Sequence, residues 1–99
     1  MAIVPTTAGL FALLAQNNIE RIGAAIKAKY PDEHYILASG QWLLAVPGKT
    51  TREISDSLGV TGVEPAIGSA IIVSFSNYFG RANPQIWEWI TARLGAQRG

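Results

Sequence analysis

The chain has 99 residues, of which 48% are apolar and 15% charged, with a formal net charge of +1. That length supports a single domain, residues 1–99, and a domain this small cannot bury so much apolar side chain alone, which favours a homo-oligomer, most simply a dimer. The near-neutral balance argues against a nucleic-acid partner, the lack of cysteine excludes disulfides and thiolate chemistry, and a single histidine excludes a His-rich metal centre.

Thr6–Ala15 (TTAGLFALLA) is a nearly continuous apolar run without alternation, which predicts a central strand buried on both faces rather than a helix. Its apolar part is too short to cross a bilayer and lacks the basic flank of a secretion signal, so the expectation is a soluble, cytoplasmic chain with no membrane contact. Gln16-Asn17-Asn18 breaks the run. Asn17 with Glu20 three residues on predicts a capped helix to about Tyr30, with Ile19, Ile22, Ile26 and Tyr30 on one stripe and Pro31 as its stop.

Asp32–Val46 (DEHYILASGQWLLAV) predicts a hairpin turning at Ser39-Gly40. With a two-residue loop, Leu37 faces Trp42, Tyr35 faces Leu44 and Glu33 faces Val46, all under the helices. The other face then carries Ile36 opposite Leu43, His34 opposite Ala45 and Ala38 opposite Gln41; a longer loop would swap the faces.

Pro47-Gly48 ends the hairpin, and Thr50-x-x-Glu53 is a capping box opening a short helix with Ile54 and Leu58 inside and Gly59 at its end. Pro47-Gly48-Lys49-Thr50-Thr51 superficially suggests a phosphate-binding loop. That motif needs a glycine five residues before Gly48, where Leu43 stands, so a turn and a helix cap is the reading. After a Gly- and Pro-rich loop over 60–68, Ser69–Ser76 (SAIIVSFS) predicts the last strand. Ile71, Val73 and Phe75 alternate there with Ala70, Ile72, Ser74 and Ser76.

Asn83-Pro84 predicts the start of a third helix over 84–94. Ile86, Trp87, Trp89, Ile90 and Leu94 span an arc of roughly 160°, wider than one stripe requires. The order β-α-β-β-α-β-α predicts an α+β fold: a ferredoxin-like βαββαβ antiparallel sheet, core 6–76, with an additional C-terminal helix. Such a sheet has one face without helices. Here that face is expected to show Ile36, Leu43 and Ile72, too apolar for water, so the third helix, a second copy or both should cover it. Ile36, Leu43, Ile72, Trp87 and Trp89 are therefore the candidate interface residues.

No catalytic set and no cofactor motif stand out, and no metal site is expected. His34, Gln41, Ser74 and Ser76 would make a small polar site if they converge. Tyr78, Phe79, Arg81 and Asn83 form an aromatic and basic turn suited to stacking on a nucleotide and holding a phosphate, or to plugging the sheet edge while Asn83 caps the helix. The reading the residues support is a non-catalytic self-associating domain whose partner is another protein or itself. The alternative is a small enzyme or a weak nucleic-acid or nucleotide binder using the open sheet face or the 77–83 turn.

The size, the order of elements and the hairpin HYILASGQWLLAV followed by TTREISDSLG resemble small bacterial proteins of the SinR-like and CRISPR-associated small integration-complex type over residues 6–76. That resemblance implies a ferredoxin-like domain that dimerises through its sheet. The family's nucleases place an aspartate at the end of the first strand, where this chain has Ala15-Gln16-Asn17, so metal-dependent cleavage is not implied.

Overall fold

The apolar run following Gly9 is extended, as its uninterrupted hydrophobicity requires, and forms β1 (Leu10–Ala15). The structure, a computed structural model, describes residues 9–98; Thr6, Thr7 and Ala8, assigned above to the same strand, lie outside them. β1 is central, with Leu10, Phe11 and Leu13 buried. Among the described residues the sheet is β2-β3-β1-β4, antiparallel throughout, built with β2 (His34–Ala38), β3 (Gln41–Ala45) and β4 (Ala70–Ser74).

Helix α1 (Ile19–Lys29) places Ile22 and Ile26 in the core, and Tyr30 just beyond it is buried with its hydroxyl 2.6 Å from Ser57 Oγ. The expected capping by Asn17 is not what forms. Asn18 precedes the helix in the left-handed region, with no side-chain cap. Both asparagines instead hold the chain leading into β4: Ser69 N–H donates to Asn17 Oδ1 at 2.9 Å, and Asn18 Nδ2 donates to the Ile67 carbonyl at 2.8 Å. A side-chain oxygen committed to an amide 52 residues away is not free for its own helix.

The hairpin turns at Ser39-Gly40, and Ala38 pairs with Gln41 as expected. A bulge between Ile36 and Ala38 then adds one residue to β2 and inverts its parity. Tyr35 therefore lies opposite Leu43, Ile36 opposite Trp42 and His34 opposite Leu44. The β2 half of the expected face assignment is reversed, while Trp42 and Leu44 do lie under the helices. Leu37 and Tyr35 pack on the opposite side of the sheet.

Helix α2 (Thr51–Leu58) follows its capping box in both directions: Glu53 N–H donates to Thr50 Oγ1 at 3.1 Å, and Thr50 N–H donates to Glu53 Oε1 at 2.9 Å. Gly59 ends it at φ 88°, a conformation open to glycine at little cost. Ile54 and Leu58 join Phe11, Leu13, Ile22, Ile26, Trp42 and Leu44 in the main core. Ile72 packs on this core too, opposite Leu13, and so belongs to the helix-covered face rather than the open one.

Helix α3 (Pro84–Arg98) covers much of the other face. Ile90 is buried with Leu10, Leu43 and Ala45, and Tyr35, Leu37, Ile86, Trp87 and Trp89 pack around them. Ile86, Trp87, Trp89 and Ile90 of the wide apolar arc are thus spent within the chain. No helix among the described residues is long and apolar enough to cross a membrane.

Candidate functional site

The polar residues proposed as a common site do not meet. β2 and β4 are opposite edges of the sheet, so His34 and Ser74 stand about 14 Å apart across three strand spacings. Gln41 projects to the α3 side, because it pairs with Leu14 and Ala38, whereas His34 and Ser74 share the α1/α2 side. Ser76 is exposed beyond the end of β4. His34 has a structural partner. Its Nδ1 lies 2.6 Å from the Tyr30 carbonyl, an acceptor only, so Nδ1 carries the hydrogen and ties the start of β2 to the end of α1.

The turn after β4 divides into two halves. Tyr78 stacks on Trp87 with centroids 6.0 Å apart and planes at 17°, and meets Phe75 edge-on at 6.0 Å. Asn83 Oδ1 accepts from Gln85 N–H at 2.9 Å, capping α3. Those two are therefore packing and capping residues. Phe79 is fully exposed, and Arg81 is exposed two residues on.

The candidate interface residues are also sorted by the structure. Leu43 is buried beneath α3. Trp89 meets Tyr35 at 5.7 Å and carries the Arg93 guanidinium 5.1 Å above its ring, and Trp87 carries Tyr78. All three are engaged within the chain. Ile72 is partly buried beside α2, and Ile36 stands 61% exposed on the β2 edge.

What α3 leaves uncovered is a strip on its own side of the sheet. Leu14 pairs with Ile71 and Ala12 with Val73, so Leu14, Ile71 and Val73 project together, at 38, 51 and 42% exposure. The alternation of Ile71 and Val73 is plain in the sequence, but not which side of the sheet it faces. Only the pairing of β4 with β1, and the position of α3 over the other half of the sheet, expose them.

Two concavities flank the sheet on the α1/α2 side. One, of about 440 Å³, lies between α1 and the β2 edge and is lined by Ile19, Gly23, Lys27, His34, Ile36 and Trp42. The other, of about 430 Å³, lies between α2 and the β4 edge, with Arg52, Ser55 and Asp56 above and Ala70 and Ile72 below. Arg52 and Asp56 are one helical turn apart and exposed. Asp56 accepts a hydrogen bond from Thr61 Oγ1. Among the described residues no group of three or more His, Cys, Asp or Glu is placed to hold a metal ion.

The chain finds no match among protein-family models, curated proteins or solved structures.

Proposed function

We propose that this chain is a non-catalytic, self-associating domain, a protein–protein interaction module whose first partner is a second copy of itself. The observation that carries this reading is the strip of Leu14, Ile71 and Val73, three neighbouring aliphatic side chains left to water in a chain with few charges. The strand order β2-β3-β1-β4, antiparallel throughout, with α1 and α2 on one face, supports a ferredoxin-like βαββαβ arrangement extended by α3. It is also the arrangement implied by the likeness to small SinR-like and CRISPR-associated bacterial proteins. A cytoplasmic location fits a chain without cysteine. Sedimentation or light scattering over a micromolar concentration series tests the reading. A dimer is expected, and a strict monomer at every concentration overturns it.

A second reading rests on Phe79, whose ring is fully exposed two residues from Arg81. It makes the 77–83 turn a weak single-strand or nucleotide contact through stacking and phosphate attraction. Binding of a fluorescent oligonucleotide at low salt, weakening steeply as salt rises, is its signature. No binding at low salt ends it.

A further inference from the structure

We infer that the second copy binds through the outer edge of β4, joining two four-stranded sheets into one eight-stranded sheet about a two-fold axis at Ile72; this rests on the self-association proposed above. Phe75 N–H donates to the Leu10 carbonyl and Gln16 N–H to the Ser69 carbonyl, so the odd-numbered residues of β4 turn their backbone groups toward β1. The N–H and C=O groups of Ala70, Ile72 and Ser74 consequently point away from the sheet, and none has a backbone partner among the described residues. This edge carries no proline, no charge and no bulge, the usual devices that keep strand edges apart. The other edge, β2, has its bulge at Leu37.

An antiparallel pair of β4 strands centred on Ile72 is isologous and uses every outward group: Ala70 with Ser74 of the second copy, Ile72 with its own equivalent, and Ser74 with Ala70. In that register Ile71 and Val73 fall at the closely spaced non-hydrogen-bonded positions, each against the other in the second copy. With Leu14 alongside, the exposed strip closes on itself.

Charge points to the same occupant. Arg52 and Asp56 line the cleft above Ala70 and Ile72, and the two-fold axis sets the two α2 helices antiparallel across the junction. Arg52 of each copy then faces Asp56 of the other. A cleft that is open in one chain becomes the seat for Ile72 and Ser74 of its twin.

The chain has no cysteine, so Ile72→Cys introduces a single thiol on the axis. Equivalent Cα atoms in a hydrogen-bonded antiparallel pair lie roughly 5.5 Å apart, within disulfide reach. Mild oxidation of Ile72→Cys is expected to give a covalent dimer, while Ile36→Cys on the opposite edge does not. Ser74→Pro removes an outward N–H that β1 does not use and is expected to convert the dimer to monomer. Arg52→Glu, on the helix surface, is expected to weaken dimerisation, and adding Asp56→Arg to restore it. A dimer that survives Ser74→Pro, or cross-links through Ile36→Cys, overturns the β4 edge while leaving self-association standing. A parent chain that is monomeric throughout, with its edge met by its own residues or by nothing, overturns both.

Discussion

Trp42 is the residue on which the main core can be tested most sharply. It is 5% exposed in β3, and its ring lies against α1, so that a Cβ added at Gly23 would sit 3.1 Å from the ring carbon Cζ2. A tryptophan buries roughly 150–250 Å². At about 25 cal/mol per Å² that is an upper bound of about 4–6 kcal/mol, and allowing for what alanine retains, Trp42→Ala should cost ~3–5 kcal/mol. Domains of this size are stable by only about 5–15 kcal/mol, so the loss brings the chain toward its unfolding midpoint. Urea unfolding followed by circular dichroism should show a lower midpoint with an unchanged slope. Gly23 supplies an internal control. Gly23→Ala can gain up to about 1 kcal/mol of helix propensity, but in the parent chain the indole stands in the way of the new methyl. The gain should be larger in the Trp42→Ala background, so the two changes are non-additive. A cost below about 1 kcal/mol for Trp42→Ala, or strict additivity with Gly23→Ala, would refute the packing described here.

The remaining expectations concern local structure and the second core. Thr50→Ala removes the acceptor of Glu53 N–H and should cost about 1 kcal/mol, read from the same urea titration. Gly59→Ala places a side chain at φ 88° and should lower stability by roughly 1 kcal/mol; an unchanged midpoint would mean that the helix ends differently. Ile90→Ala should cost about 2–5 kcal/mol and, by loosening α3, increase binding of a hydrophobic dye to the Leu10–Leu43–Ala45 face. Stability lost without added dye binding would show that α3 stays docked.

Features written in short spans of sequence were the legible ones. The α2 box from Thr50 to Glu53, its end at Gly59, the halt of α1 at Pro31 and the Ser39-Gly40 turn depend on neighbours a few residues apart, and all form as their residues indicate. Assignments requiring long-range knowledge did not transfer. A bulge at Leu37 has no sequence marker in HYILA, yet it sends Tyr35 and Leu37 to one face and His34 and Ile36 to the other. Asn17 has the right chemistry for a cap, but the Ser69 amide, distant in sequence, claims its oxygen. The wide arc of α3 correctly signalled burial against something large. Whether that was its own sheet or a neighbour's depended on the connection after β4, and the exposed strip could be recognised only once α3 had been placed.

The order of these elements along the chain also bears on how it is made. α3 follows all four strands, so a ribosome synthesises the whole sheet before it synthesises the helix that covers Leu10, Leu43 and Ala45. At about 5–20 residues per second, the stretch from the end of β4 to the end of α3 takes roughly 1–5 s to make, so that face has no cover of its own until synthesis has passed the last strand. A chain cut short after Ser74 should therefore leave that face bare for good and show a lower soluble yield than the full chain.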